Sequence, residues 1–324
     1  MIKYKWKINS ELNQLIIELE SIKLLISHLP TNQHLEDNLR RHSLLKSAVF
    51  SARIEGFTDT LNTPKKESQN LLQAYRYLFS NKSPKKLSIR LIKNIHQLVL
   101  KNLVPNSGNW RTEPWAIFNQ SGVAVYLAPP QYEVPELMGE FINYINKLSE
   151  HPSVKAAIAQ YIFEKIHPFA DGNGRVGRLI SAFILEKNGF GFKGLAPFEE
   201  YIDNNRSDYY FHLESGVDCT GFINFFLEAV VSQLKGYVEK LKMTNQDIPE
   251  DSLLPRRREI LEIIKDHPNC TFDFLQRRFL AVNGKTLHYD LSRLLKDGFI
   301  RKLGATKGVV YVSNKKALGL IQSF

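Results

Sequence analysis

The chain has 324 residues and 43% hydrophobic content, enough for more than one core, and no apolar run approaches the roughly 18 residues of a membrane-spanning helix. Its 43 Lys and Arg exceed 33 Asp and Glu, a formal charge of +10. Two cysteines in different segments exclude a disulfide framework, and the basic start Met1-Ile2-Lys3-Tyr4-Lys5-Trp6-Lys7 has no apolar core behind it, so the expected compartment is the cytoplasm.

Along the chain the pattern is mainly α. Residues 9–28, 33–55, 67–80 and 87–102 read as helices. Glu55 closes the second of these just before Gly56, a C-cap position. A carboxylate there faces the negative end of the helix dipole, so a cation from elsewhere, an arginine above all, is expected to compensate it. Ser51 lies one turn earlier on the same face. The helical pattern then breaks. Gly108-Asn109-Trp110-Arg111 leads into two β-rich runs, 115–118 and 123–127, around a polar turn at 119–122, which read as a hairpin. Helices resume over 135–149, 152–166, 174–188 and 206–242.

Between the sixth and seventh of these helices runs His167-Pro168-Phe169-Ala170-Asp171-Gly172-Asn173-Gly174-Arg175-Val176-Gly177-Arg178. Val176, Leu179, Ile180, Phe183 and Ile184 recur with helical spacing, which puts the glycines at a helix mouth. Free N–H groups and the positive dipole end make an anion site there. Gly172 and Gly174 let the backbone approach a ligand, and Arg175 and Arg178 add forked donors for phosphate oxygens. Asp171 is the one hard oxygen ligand, suited to Mg²⁺, and His167 is an imidazole able to take a proton near neutral pH. The set points to phosphoryl or nucleotidyl transfer.

This dozen resembles the complete signature of the Fic (filamentation induced by cAMP) domain, whose enzymes mostly transfer AMP from ATP to a protein hydroxyl. The resemblance implies that His167 is the general base, Asp171 the Mg²⁺ ligand, and Gly172, Asn173 and Gly174 the phosphate-binding turn. Arg175 would face the β-phosphate side and Arg178 the γ-phosphate. Gly174 stands where phosphotransferring relatives carry Lys, which favours AMP transfer. Ser51-Ala52-Arg53-Ile54-Glu55-Gly56 is similar to the family's inhibitory helix, whose glutamate pairs with the second arginine, here Arg178. The hairpin corresponds to the family's flap, which aligns a target by strand addition. The aromatics of 199–210 border the base in relatives and equally suit a core stripe; Tyr209 is the candidate contact.

Residues 244–254 are polar and Pro-containing and read as a linker. Beyond them, residues 255–324 hold 14 Lys or Arg against 6 Asp or Glu. Helices over 258–266, 272–279 and 286–296, then strands near 299–303 and 309–312, look like a winged-helix domain. Its third helix would offer His288, Tyr289, Ser292, Arg293 and Lys296 to DNA, with Lys307 on the wing; such modules equally serve protein contacts or homodimers. The expected organisation is a helical region over 1–85 with the inhibitory helix near 40–56, a Fic catalytic domain over 86–243, the linker, and the winged helix over 255–324. Three readings follow: a self-inhibited protein adenylyltransferase; a DNA-binding regulator whose Fic domain senses nucleotide; or, with Glu55 positioning water, an enzyme that removes AMP.

Overall fold

A computed structural model describes residues 4–28, 33–118, 124–194, 196–214, 216–244, 253–267, 270–304 and 308–314. The chain divides into two compact units, Met1–Lys240 and Leu241–Phe324.

The first unit is built round an antiparallel helix pair, α6 (Pro152–Ile166) and α7 (Asn173–Lys187). Almost every residue of α6 is buried, including the small Ala156, Ala157 and Ala159 that let neighbours approach closely. Buried on nearly every side, its polar Gln160, Glu164 and Lys165 included, α6 is a core helix. Before it come α1 (Ser10–His28), α2 (Gln33–Ile54), α3 (Lys66–Leu78), α4 (Ile89–Val99), the hairpin strands β1 (Ala116–Phe118) and β2 (Ala124–Leu127), and α5 (Val134–Lys147). After it come α8 (Phe198–Asn204), α9 (Arg206–Glu214) and α10 (Thr220–Thr244). The helix α2 is clamped to α8 by ion pairs from Lys46 to Glu200 at 2.8 Å and from Arg53 to Asp203 at 3.0 Å. The strands β1 and β2 pair antiparallel, with a register shift between Ile117 and Phe118; their turn, 119–123, lies outside the described residues.

One expectation is corrected here. The single helix predicted over 206–242 is two, α9 and α10, because the chain between them is captured by the N-terminal segment. The Lys5 N–H donates to the Val217 carbonyl and the Cys219 N–H to the Lys5 carbonyl, both at 2.9 Å. The Asp218 carboxylate then caps α10 by accepting from the Thr220 N–H at 2.9 Å.

The second unit comprises α11 (Pro255–Asp266), β3 (Cys270–Thr271), α12 (Phe272–Arg278), α13 (Gly284–Lys296), β4 (Ile300–Leu303) and β5 (Val310–Ser313). The sheet is three-stranded, in the order β3-β5-β4, and the two-residue β3 was not anticipated. Ile260, Leu275, Leu287, Leu294 and Phe299 lie in its core. Residues 245–252 and Lys307 lie outside the described residues. Among the described residues no helix is long and apolar enough to cross a membrane.

Candidate active site

The loop between α6 and α7 begins with backbone strain. His167 adopts the left-handed region, φ 48° and ψ 60°, while its N–H still donates to the Phe163 carbonyl at 3.0 Å. A non-glycine residue there costs on the order of 1–3 kcal/mol and persists only where its surroundings over-determine it. Arg111 supplies that constraint. Its Nε donates to the His167 carbonyl at 2.7 Å and its N–H to the Pro168 carbonyl at 2.9 Å. Its remaining donors reach the Glu113 and Pro129 carbonyls on either side of the hairpin. Arg111 is buried and ties β1 and β2 to the loop.

Two further anchors fix the loop. Phe169 is fully buried and stacks on His96 with ring centroids 3.7 Å apart. Asn173 holds the Phe169 backbone in both directions: its Oδ1 accepts from the N–H at 2.9 Å and its Nδ2 donates to the carbonyl at 2.8 Å. The Asn173 side chain is thereby committed to the loop, and what it offers an anion is its backbone N–H in the first turn of α7.

The catalytic candidates follow from this frame. The His167 ring stacks on Trp115 at 3.4 Å between centroids. One ring nitrogen donates to the Glu164 carbonyl; burial, outweighing that bond, pushes the imidazole down to about 4. His167 is therefore neutral at pH 7, with its other nitrogen holding a lone pair. His96 is also pushed down to about 4 by burial, with Nδ1 accepting from the Gly108 N–H at 2.6 Å and Nε2 donating to the Asp171 carbonyl at 3.1 Å. It is a strut for the turn.

At the mouth of α7, Gly172 takes φ 79°. Asp171 Oδ1 accepts from the Gly172 N–H at 2.6 Å and from Arg175 at 2.9 Å, while the side chain stays 57% exposed. Arg175 is buried, lies over the Phe57 ring, and keeps an unpartnered Nε. Arg178 is fully buried three residues on. Its Nε donates to the Ser51 hydroxyl at 3.0 Å, and its Nη2 to the Ser51 carbonyl at 2.9 Å and to Glu55 Oε1 at 2.8 Å. Glu55 is held out at the end of α2 by a Schellman cap. Gly56, at φ 89°, donates to Arg53, and Phe57 donates to Ala52. The glutamate lies directly over Gly174, where a Cβ would come within 2.3 Å of its Oε1.

Glu55, Gly174, His167, Trp115, Glu164 and Tyr210 line one cavity of about 390 Å³. Tyr209 backs its wall, buried, its hydroxyl accepting from Gln160 at 3.0 Å; its neighbour Tyr210 is the one with exposed surface. The His167, Gly172–Arg178, Ser51 and Glu55 groups singled out in the sequence thus meet at one place. Arg111 and Glu164 were missed. The only signal for Arg111 is its place at the start of the hairpin, and for Glu164 its place one turn before His167. Among the described residues no group of three or more His, Cys, Asp or Glu is placed to hold a metal, so Asp171 stands as a lone carboxylate.

In the second unit, Lys285, His288, Tyr289, Ser292 and Lys296 form the exposed face of α13, while Arg293 turns aside toward Asp297 at 4.0 Å. Arg301 and Lys302 are exposed on the edge strand β4.

Residues 86–185 match the Fic/DOC family model. Over 194 residues the chain is 28% identical to protein adenylyltransferase fic-1 of Caenorhabditis elegans, covering 57% of this chain and 36% of that one. Over 171 residues it is 30% identical to a probable protein adenylyltransferase of Aquifex aeolicus (strain VF5), covering 48% and 52%. The chain thus spans from about a third to about half the length of these curated relatives. A Fic family protein from Desulfovibrio desulfuricans G20 shares the fold, with a TM-score of 0.68 at 24% identity over 97% of this chain and 98% of that one.

Proposed function

The chain carries a Fic domain, and from that premise we propose that it is a protein adenylyltransferase, moving AMP from ATP to a Ser, Thr or Tyr hydroxyl of a protein, itself included. The observation that carries this is the shared cavity: a neutral imidazole, a glycine turn at a helix N-terminus and a carboxylate already bound to a buried arginine. His167 takes the proton of the incoming hydroxyl, its oxygen bonds the α-phosphorus, the α–β bridging bond breaks, and pyrophosphate leaves. The first-turn N–H groups of Asn173 and Gly174, with Arg175, hold the phosphates, Gly172 shapes the turn that lets the backbone approach them, and Arg178 holds the γ-phosphate. The hairpin β1–β2 aligns the target chain by strand addition, and Tyr210, backed by Tyr209, borders the base. The expected setting is the cytoplasm.

Asp171 fits Mg²⁺ in the way such ions are usually held, by one carboxylate together with substrate phosphates and waters. One of its oxygens is engaged within the loop and the side chain remains open to solvent. Bound there, Mg²⁺ would offset the charge of the phosphates.

Glu55 is the brake in this reading. It occupies the arginine that the γ-phosphate needs, and it overlies Gly174, where the phosphates would pass. Incubation with ATP labelled at the α-phosphate tests the whole reading. Glu55→Gly should label itself more than wild type does, and Glu55→Gly with His167→Ala should not label. Labelling that drops in Glu55→Gly and AMP released from a modified protein by wild type would instead make Glu55 the positioner of a hydrolytic water.

We further propose that the second unit is a winged helix that binds DNA through α13 and β4. Its support is the one exposed face carrying Lys285, His288, Tyr289, Ser292 and Lys296 beside the basic edge of β4. Affinity for a fragment pool should fall steeply with salt as counterions are released, and Lys285→Glu with Lys296→Glu should remove it. Salt-independent binding, or none at low salt, leaves protein contact as the role of this face.

A further inference from the structure

Arg178 has the carboxylates of Glu55, Glu164 and Glu199 within electrostatic reach, and among the described residues only the first is bonded to it. Glu55 accepts from Nη2, while Nη1 of the arginine is buried without a partner. The second carboxylate is Glu164 on α6, one turn before His167, lining the same cavity. It is 8% exposed, and its Oε1 is buried with no partner. That oxygen is turned toward α7 at Gly177, where a Cβ would come within 2.8 Å of it, beside the residue that bears the arginine. An unsatisfied buried acceptor on α6 and an unsatisfied buried donor on α7 therefore belong to packed, neighbouring stretches of the two helices.

Resting on the adenylyltransferase reading, we propose that Glu164 is the alternate counter-charge of Arg178: neutral while Glu55 is in place, it ionises when Glu55 leaves and then competes with phosphate for the arginine. One buried cation supports one buried anion; a second ionised carboxylate in the same low-dielectric space leaves net negative charge there and takes up a proton instead. Burial and the Glu55 charge push Glu164 up to about 8, against the pull of Arg178, so removing Glu55 removes one of the two causes that keep it neutral. The other groups facing it are Tyr126 on β2 and Tyr209 and Tyr210 on α9, all held above the usual tyrosine range by burial and so neutral throughout. His167, at about 4, is neutral as well. Glu199, raised to about 7 by burial, lies across Tyr75 and within reach of the Arg178 charge, which is why a variant and not a pH profile alone must assign the effect.

In this arrangement Glu164 decides how available Arg178 is to an anion once the brake is released. The selectivity is for charge at the phosphate end and not for the nucleoside.

The test is calorimetric binding of ATP and of adenosine to full-length Glu55→Gly and to Glu55→Gly with Glu164→Gln, at pH 6 and pH 8.5. At pH 8.5 the Gln variant should bind ATP about tenfold more tightly, the effect of one pKa unit of differential interaction. At pH 6 the two should differ less, and adenosine should not distinguish them at either pH. Equal ATP affinities at pH 8.5, or a matching gain for adenosine, overturn the role of Glu164. Absence of ATP binding to both proteins overturns the adenylyltransferase reading itself. Should Glu164→Gln not fold, Glu164→Met, of similar length and uncharged, gives the same comparison.

Discussion

Each unit contains a carboxylate bonded to arginine, and the two are built inside out from one another. In the first, the arginine is the buried partner: Arg178 is wholly enclosed, while the Glu55 side chain is 27% exposed and borders a cavity. In the second, the acid is buried: Asp290 on α13 is enclosed and takes Arg256 at 2.6 Å and Arg257 at 2.8 Å from α11, with both of its oxygens used. Asp290 is satisfied twice over by neighbours in its own fold, so it is a strut between two helices. A buried arginine whose acidic bond, among the described residues, comes from a half-open glutamate can change partners, provided the newcomer is an anion. Which member of the pair is buried separates a replaceable contact from a fixed one.

The largest expected effect lies at the neighbouring base. In the Glu55→Gly background, His167→Ala should lower AMP transfer by at least roughly 100-fold, the usual worth of general-base catalysis, with ATP binding nearly unchanged. The rate of label incorporation against the calorimetric ATP affinity separates the two. Retention of more than about a tenth of the rate would remove the base role.

Next in size is the release of Arg178. Glu55→Gly should raise transfer at least about tenfold, a barrier change of roughly 1.4 kcal/mol. The same substitution should leave the fold intact, since it removes a half-exposed partner and Arg178 keeps both bonds to Ser51. If the thermal midpoint falls steeply while transfer does not rise, Glu55 is a strut like Asp290 and the contrast between the units collapses.

The converse holds for the strut. Asp290→Asn should leave transfer by Glu55→Gly unchanged and loosen the second unit, shifting its unfolding by about 4–8 °C for each kcal/mol lost in a domain of this size. Faster amide exchange at Leu287 and Leu291 on the buried side of α13 would register it. A fall in transfer as large as the rise produced by Glu55→Gly would mean that Asp290 acts on the first site.

These contrasts mark what a sequence can convey. The run from His167 to Arg178 is legible because its chemistry is local: the turn, the helix mouth and both arginines fall within one stretch. Glu55 was legible for a different reason, as a carboxylate at an unfavourable helix end beside a capping glycine. Arg111 was not, since its role depends on the hairpin folding back over a loop 56 residues away. The break between α9 and α10 is hidden in the sequence by continuous apolar periodicity, and its local signals are only the Gly216 stop and the Asp218 cap. The strand β3 is two residues long and is defined only by its pairing with β5. Asn173 carried the right residue type, but its amide is spent on Phe169, a commitment that spacing alone does not reveal.

The smallest expected effect is close to none, and it is informative for that reason. Transfer by Glu55→Gly onto a seryl target at saturating ATP should change less than about twofold between pH 6 and pH 8. An imidazole with the ordinary value near 6.5 would lose roughly fourfold at pH 6, because most of it would carry a proton. Burial pushes His167 down to about 4, so the base stays neutral across that range. The sign runs the same way for stability. His167 and His96 both titrate lower folded than unfolded, so the stability they confer is complete above about pH 6.5 and drains as pH falls toward 4. Circular dichroism taken alongside the rates distinguishes loss of the fold from protonation of the base. A rate that drops severalfold by pH 6 while the dichroism holds would place His167 in contact with solvent, and the stack on Trp115 would then not be what keeps the base ready.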